Sequence, residues 1–265
     1  MKKRVDELLV EQGYFTSRNR ARDEILSGNV KINGATFTKP GKLVNEDVSI
    51  SLEDKTYYVS RGAYKLLKAL DEFEIKLSNK VCYDFGSSTG GFTQVMLERG
   101  ATHVYAVDIG HGELKVEDPR ITLMEGTNVR SLKREDFDRR CDFIACDLSF
   151  ISLKLILPVL KEMIDLHGEA VCLIKPQFEV GLDKIKRGVV RSKELHLAVL
   201  EGIIDEAKKV GFKIGGLTFS PIRGGDGNIE FLMELNYNES KSFDLLNVVN
   251  SAWITLEGSK NVHYR

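Results

Sequence analysis

The chain has 265 residues, a net charge of −1 and 42% hydrophobic residues. This length accommodates one large domain or one medium and one small domain, and the hydrophobic fraction is ordinary for a protein with a buried core. The near-zero net charge excludes binding of polyanions through overall charge, so any basic surface must be local.

Neither the N-terminus nor the cysteines indicate an exported or membrane protein. The first residues are basic but lack the apolar segment of a signal peptide, and no run approaches the ~18 apolar residues of a spanning helix. The cysteines, Cys82, Cys141, Cys146 and Cys172, form no C-x-x-C pair, which favours buried free thiols over disulfides or a metal site. We expect a cytoplasmic protein with no bound metal and no stable membrane association.

The N-terminal residues 1–54 are predicted to form a small separate domain. Helices are predicted at 4–13 and 18–26, with Ser17 as a cap, and strands at 30–32 and 48–52 around an Asn33-Gly34 turn. Residues 1–42 hold nine Lys or Arg against five Asp or Glu, and Arg18 and Arg22 share a helix face. The residues alone fit an RNA-binding module and a solvated charged surface equally well.

After a polar junction, a helix is predicted over residues 60–70. Ser60 is its expected N-cap, and leucines at 66, 67 and 70 form its apolar stripe. Arg61 and Lys65 are one turn apart and are expected to project together.

Residues 81–93 are the stretch around which the rest of the chain is organised. An apolar run ends at Asp84, a loop of glycines and small hydroxyl residues spans 86–91, and helical spacing begins at Phe92. The loop is not G-x-G-x-x-G, and no lysine follows it as in a phosphate-binding loop. A carboxylate beside such a loop favours a ligand with a cationic amino-acid end, such as S-adenosylmethionine, over a triphosphate.

Strands and helices alternate through the following residues. Strands are predicted at 103–108, 121–124, 141–147, 170–175, 214–220 and 229–235, and helices at 153–164 and 195–210. This alternation predicts a parallel sheet with helices on both faces, and ligands bind outside the carboxyl ends of such strands. Asp84, Asp108, Asp147 and Lys175 are expected at those ends, where four charged residues are better explained as one site than as core.

Asp108 and Asn128 are candidates for holding a nucleoside. An acid about 20 residues beyond a glycine loop typically binds a ribose diol, and an amide can pair with an adenine edge. These two residues do not distinguish S-adenosylmethionine from a dinucleotide.

Lys175 is the candidate base. Pro176 ends the strand, so the lysine is expected in the cleft, with Lys65 as a nearby positive charge and Asp147 and Glu230 holding both ammonium groups. The following loop, 183–193, carries five basic residues and is predicted either to clamp RNA phosphates or to be a mobile solvated loop.

Two family resemblances extend this interpretation. The pattern Ser17-Arg18, Gly28 to Gly34, Pro40 and Val48 to Ile50 resembles the small RNA-binding domain named after ribosomal protein S-four. Residues 60–231 resemble the FtsJ-like family of S-adenosylmethionine-dependent RNA 2′-O-methyltransferases, through the motifs at 60–66, 84–92, 147–152 and 174–179. Together they resemble the TlyA family, often labelled haemolysins and including rRNA cytidine 2′-O-methyltransferases.

The resemblance implies an α/β protein: a Rossmann-like S-adenosylmethionine-dependent methyltransferase sheet over residues 60–265, a linker at 55–59 and a small α+β RNA-binding domain at the N-terminus. It implies S-adenosylmethionine as cofactor and ribosomal RNA or ribosomal subunits as partners. The catalytic residues it implies are Lys65, Asp147, Lys175 and Glu230. The cofactor-binding residues it implies are Asp84, Gly86, Ser87, Ser88, Thr89, Gly90, Gly91, Phe92, Asp108, Ile109, Asn128, Val129 and Asp147. The RNA-binding residues it implies are Arg4, Arg18, Arg20, Arg22, Lys31, Arg61, Lys184, Lys186, Arg187 and Arg191.

Two other functions are considered. A haemolysin-type membrane-active protein needs an exposed amphipathic or spanning segment, which the sequence does not contain. An RNA-binding protein with an inactive methyltransferase domain is disfavoured by the intact set of four charged candidates.

Overall fold

The computed structural model describes residues 2–15, 17–26, 28–52, 58–181, 185 and 187–257. The chain divides into two compact units, Met1–Tyr57 and Tyr58–Arg265. Most of the expected linker, residues 55–57, lies outside the described residues, whereas Tyr58 packs against the core of the second unit.

The first unit contains two short helices and two small antiparallel sheets. Its elements are β1 (Lys2–Arg4), α1 (Val5–Glu11), α2 (Arg18–Leu26), β2 (Val30–Ile32), β3 (Ala35–Phe37), β4 (Leu43–Asn45) and β5 (Ile50–Leu52). Strand β2 pairs with β3 and β5, and β1 pairs with β4. The predicted turn connects β2 to β3, with positive φ at Asn33 and Gly34, and the Ser17 hydroxyl accepts from Arg20 N at 3.3 Å at the start of α2.

The second unit is a seven-stranded sheet flanked by helices. Its strands are β6 (Val81–Phe85), β7 (His103–Val107), β8 (Ile121–Met124), β9 (Cys141–Cys146), β10 (Ile164–Ile174), β11 (Lys213–Phe219) and β12 (Phe231–Asn236). Its helices are α3 (Ala63–Glu72), α4 (Gly91–Glu98), α5 (Leu157–Met163), α6 (Lys193–Val210) and α7 (Leu245–Glu257). The strand order is β11-β12-β10-β9-β6-β7-β8.

The expectation of a parallel sheet is correct for five strands and wrong for the last two. Strands β8, β7, β6, β9 and β10 run parallel, but β12 is antiparallel to β10 and β11 is antiparallel to β12. Antiparallel neighbours need only a short connection, whereas parallel neighbours need a crossover. The segment between β11 and β12, residues 220–230, is too short for a crossover, so the two strands run antiparallel.

Apolar residues of the strands alternate between two cores, one on each face of the sheet. On one face α5, α6 and α7 pack with residues such as Tyr83 and Phe85, and on the other α3 and α4 pack with Cys82 and Val104. The layers are therefore helices, sheet and helices, as the sequence predicts.

Three details of the helices differ from the sequence expectations. Helix α3 begins after Gly62, and Ser60 is not its cap: Ser60 accepts from Ala63 N through its carbonyl oxygen. The helix predicted over 153–164 is a 3₁₀ turn followed by α5, because Pro158 is tolerated only in the first turn. Helix α7 was not predicted, although Asp244 supplies a cap, accepting from Asn247 N at 3.0 Å.

Candidate active site

Charged residues from separate segments meet at one edge of the sheet. Asp108, Asp147 and Lys175 directly follow β7, β9 and β10. Because β12 is antiparallel to β10, its first residue lies opposite the last residue of β10. This arrangement brings Glu230, which precedes β12, to the same edge as Lys175.

Lys65, Asp147, Lys175 and Glu230 form a chain of ion pairs. Lys175 Nζ lies 2.6 Å from Asp147 Oδ1, Lys65 Nζ lies 3.5 Å from Asp147 Oδ2, and Lys65 Nζ lies 2.8 Å from Glu230 Oε2. The lysine side chains are each 10% exposed and that of Glu230 is 3% exposed. The four residues predicted as the catalytic set are thus brought together, with two positive and two negative charges.

The pKa of Lys65 results from opposing effects. Burial alone lowers it, because a buried ammonium group loses its hydration. The negative charges of Asp147 and Glu230 outweigh this effect, and the net pKa is raised. Lys65 therefore remains a cation beside Asp147, and its role in this geometry is electrostatic rather than that of a proton acceptor.

Ser149, Phe150 and Glu179 were missed by the sequence analysis. Lys175 Nζ donates to Ser149 Oγ at 2.8 Å, so this hydroxyl is a further partner of the candidate base. Phe150 has a φ of 62° and a side chain that is 91% exposed, with its ring 5.0 Å from that of Phe178. Nothing in the spacing of this loop indicates these contacts, because they form only when β9 and β10 pair.

The glycine loop closely approaches the ion-paired cluster at Asp147. Gly86 has a φ of +88°, and a Cβ there would lie 2.5 Å from the carbonyl oxygen of Asp147. Gly90 has a φ of +94° and precedes the first residue of α4. A Cβ at Gly90 would lie 2.7 Å from Val116 Cγ2. Both positions therefore require glycine, because a side chain there would be strained by the positive φ and would clash with its neighbours.

Asp84 is more deeply placed than the sequence suggests. It lies within β6, one residue before the strand ends, with no exposed surface, and accepts from the Thr93 hydroxyl at 2.6 Å. Burial raises the pKa of Asp84 to about 7, and the charges of Asp147 and Asp108 contribute in the same direction. Asp84 Oδ1 and Ser87 Oγ are buried without a hydrogen-bond partner within the described part of the chain.

Asp108 organises two loops at once. Its oxygens accept from Ser88 N and Gly110 N, both at 2.8 Å. Each carboxylate oxygen has a second lone pair, so two acceptor sites remain for a ribose diol. Asn128 Oδ1 accepts from Arg130 N at 3.0 Å, which leaves its amide nitrogen as a donor.

These residues fit an adenosyl cofactor with a cationic amino-acid end. The fit rests on the orphaned buried oxygen of Asp84, the close-packed glycine loop beside it and the remaining acceptor sites of Asp108. Of the remaining cofactor candidates, Ile109 is 68% exposed at the rim of this region, Val129 is buried, and the carbonyl oxygen of Thr89 accepts from Lys115 N.

Arg4, Arg18 and Arg20, which are predicted to bind RNA in the first unit, already have acidic partners. Arg18 lies 3.0 Å from Glu7 and 3.6 Å from Asp6, and Arg4 forms two hydrogen bonds to Asp6. Arg20 lies 3.4 Å from Glu24. Arg22 and Lys31 are half-buried.

The RNA-binding candidates of the second unit are all exposed where they are described. Arg61, Arg187 and Arg191 are exposed. Lys184 and Lys186 lie outside the described residues.

The described residues contain neither a membrane-spanning helix nor a cluster of metal-ligating side chains. No helix in these ranges is long and apolar enough to cross a membrane. In the same ranges, no group of three or more His, Cys, Asp or Glu side chains could hold a metal ion.

Comparison with known proteins matches both units. Residues 58–237 match the family described as FtsJ-like methyltransferase, and residues 3–50 match the S4 domain. The 16S/23S rRNA (cytidine-2'-O)-methyltransferase TlyA of Mycobacterium tuberculosis is 39% identical over 88% of this chain and 89% of its own. Hemolysin A of Brachyspira hyodysenteriae is 39% identical over 86% of this chain and 98% of its own. A solved structure described as a presumed hemolysin from Streptococcus thermophilus has a TM-score of 0.74 at 40% identity, covering 98% of each chain.

Proposed function

Because the chain belongs to the FtsJ-like methyltransferase family and carries an S4 domain, we propose that it methylates the 2′-hydroxyl of a cytidine ribose in ribosomal RNA, with S-adenosylmethionine as the methyl donor. The observation that carries the proposal is the buried chain of ion pairs from Glu230 through Lys65 and Asp147 to Lys175. Taking charged groups out of water is costly even when they are paired, so the buried Lys65, Lys175 and Glu230 around the half-buried Asp147 favour a catalytic role over a structural one.

The proposed reaction assigns one proton transfer to Lys175. In its neutral amine form, Lys175 accepts the proton of the 2′-hydroxyl as the oxygen forms a bond to the methyl carbon. S-adenosylmethionine, when bound, would supply this methyl group, with the electron pair of the broken carbon–sulfur bond left on its sulfur. Asp147 holds Lys175 in place, and Lys65 and Glu230 fix Asp147 from its other side.

Positioning is the main requirement of this reaction. S-adenosylmethionine, when bound, supplies an activated methyl group whose positive charge disappears as the methyl is transferred. The site therefore gains more from alignment of the reacting groups than from strong charge stabilisation. Residues of the Gly86–Gly91 loop, Asp108 and Asn128 would hold the cofactor, and Asp147 lies against that loop.

Phe150 gives the target base a surface to stack on. Its ring is 91% exposed and lies in the same loop as Asp147 and Ser149. Stacking of a base on an aromatic ring is worth about 1–3 kcal/mol. A nucleotide whose base rests on Phe150 would bring its ribose toward Lys175.

The test is the identity of the product. Purified protein is incubated with methyl-labelled S-adenosylmethionine and ribosomal subunits from cells that lack the gene, and the RNA is digested to nucleosides. We expect the label in 2′-O-methylcytidine. Label on a base, or no label although the protein binds the cofactor in calorimetry, would refute the proposal.

The same purified protein distinguishes RNA methylation from the two other functions considered. An RNA-binding protein with an inactive domain would bind rRNA and transfer no methyl. A haemolysin would lyse erythrocytes at concentrations at which no methyl transfer to RNA is detected.

A further inference from the structure

Ser149 occupies a defined position on the candidate base. Lys175 Nζ has a contact of 2.6 Å with Asp147 Oδ1 and donates to Ser149 Oγ at 2.8 Å. The other charged groups around this nitrogen are Lys65, which shares Asp147, and Glu230, which pairs with Lys65. Ser149 itself is exposed, whereas Lys175 is buried, so the hydroxyl lies on the solvent side of the amine.

We propose that Ser149 is a positioning residue that aims the nitrogen of Lys175 at the 2′-hydroxyl, an inference that rests on the function proposed above. An amine nitrogen has four tetrahedral directions, and the side-chain carbon takes one. An N–H donated to Ser149 Oγ takes a second direction, whereas Asp147 Oδ1, 2.6 Å away, lies outside hydrogen-bond geometry and acts through its charge. The hydrogen bond to Ser149 therefore sets the rotation of the amine, and it keeps the lone pair of the neutral amine on the side from which the substrate proton arrives.

A second contact joins the loop after β9, which carries Ser149, to the segment after β10, which begins with Lys175. Glu179 accepts from Ser152 Oγ at 2.6 Å and from Leu153 N at 2.7 Å. Between these ties, the rings of Phe150 and Phe178 lie 5.0 Å apart. These contacts join the segments 147–153 and 175–179 and support the position of the serine hydroxyl beside the lysine.

The test compares Ser149→Ala with Ser149→Thr, which keeps the hydroxyl and serves as the matched control. Because Ser149 is exposed, neither change disturbs the core. Single-turnover methyl transfer is measured at saturating cofactor and RNA, and both ligands' affinities are measured on the same samples. We expect the alanine variant to be about 10- to 100-fold slower, the range of a lost hydrogen bond to a charged group, with affinities unchanged. The threonine variant should stay within about threefold of the parent, since its hydroxyl can occupy the same position.

A second measurement asks whether the serine acts through the lysine. If it does, Ser149→Ala should cause no further loss in the Lys175→Ala background, because residues that act as a unit are not additive. An equal loss in both backgrounds would show that Ser149 contacts the substrate instead, and would overturn the inference. So would an alanine variant at the parent rate, or a threonine variant as slow as alanine.

The methyl-transfer activity of the parent enzyme distinguishes failure of the proposed function from failure of the inference about Ser149. A parent that transfers no methyl to rRNA would overturn the proposed function and this inference with it. An active parent with an unimpaired Ser149→Ala variant would overturn the inference alone.

Discussion

Two groups of charged residues pair in different ways in the two units of the chain. In the first unit, the exposed Arg18 pairs with Glu7 of the preceding helix, and the half-buried Arg20 pairs with Glu24 one turn away. In the second, Lys65 and Lys175 are buried and pair with acids far away in sequence. Exposed pairs contribute about 0–1 kcal/mol each, whereas breaking a buried pair leaves an uncompensated charge at a cost of about 3–5 kcal/mol.

This difference separates two kinds of function. An exposed arginine can exchange its carboxylate partner for a phosphate at little cost, which suits a surface that binds and releases RNA. The buried cluster is preorganised and cannot exchange partners freely, which suits a site that must hold reacting groups in place.

Lys65→Met should impair both catalysis and folding. It removes the cation between Asp147 and Glu230, and we expect single-turnover methyl transfer to fall about 100-fold as Asp147 and Lys175 lose their alignment. Lys68→Met is the matched control. Lys68 lies on the same helix but donates to Thr218 Oγ1 and Phe219 O. The Lys68→Met control should unfold at lower denaturant concentration than the parent and still transfer methyl within a few-fold of the parent rate. If the control were as inactive as Lys65→Met, the lost activity of Lys65→Met would not be specific to the ion-paired cluster.

Asp108→Ala should weaken cofactor binding by about 10- to 100-fold, the range of a lost hydrogen bond involving a charged group. The loss has two sources, the proposed ribose contact and the release of Ser88 N and Gly110 N. Asp118→Ala, which removes an acid paired with Arg120 near β8, is the control and should leave affinity unchanged. Calorimetry measures both, and unchanged affinity for Asp108→Ala would exclude its assignment to the cofactor.

Cofactor affinity should rise about 10-fold between pH 6 and pH 8. With a pKa of about 7, Asp84 is about one-tenth ionised at pH 6 and about nine-tenths ionised at pH 8, and only the anion attracts a cationic ligand. The folded-state pKa lies above the ordinary value, so in the free protein this group favours folding at low pH, and that contribution is lost as pH rises from about 4 to about 7. Titration calorimetry across this range checks the affinity, and an Asp84→Asn variant with the same pH dependence as the parent would assign it to another group.

RNA binding should respond modestly to changes in the first unit. Arg18→Ala with Arg22→Ala should flatten the slope of log affinity against log salt by roughly one to two units. Glu7→Gln should act in the opposite direction, because it frees Arg18 from a partner at 3.0 Å. A slope that neither variant alters would exclude these arginines as phosphate contacts.

The sequence predicts the parts of the site that rest on local signals. A charged residue at the end of an apolar strand is visible without a structure, and Asp108, Asp147 and Lys175 lie where their strands predict. The alternation of strands and helices likewise predicts the layered sheet. Each of these patterns lies within a short stretch of sequence. The charged residues stay at the strand ends in the folded protein because burying an unpaired charge inside a strand is costly.

What the sequence does not predict depends on contacts between distant segments. The antiparallel direction of β12 places Glu230 at the site. The apolar residues 229–235 predict a strand but not the direction in which it runs beside β10. The hydrogen bond of Ser149 to Lys175 forms only because β9 and β10 pair. Helix α7 is different: its apolar spacing and the Asp244 cap were available in the sequence and were overlooked.

The claim that Lys175 is the base in methyl transfer can be tested most directly by replacing it. Single-turnover transfer of labelled methyl to unmodified ribosomal subunits is measured for the parent, Lys175→Ala and Lys175→Arg, with cofactor and RNA binding checked on the same samples. The account predicts nearly unchanged binding and a rate loss of about 100- to 10,000-fold for both variants, because arginine keeps the charge but cannot accept a proton near neutral pH. A Lys175→Arg enzyme working near the parent rate would contradict the account, since the lysine would then supply only positive charge and the proton would leave by another route.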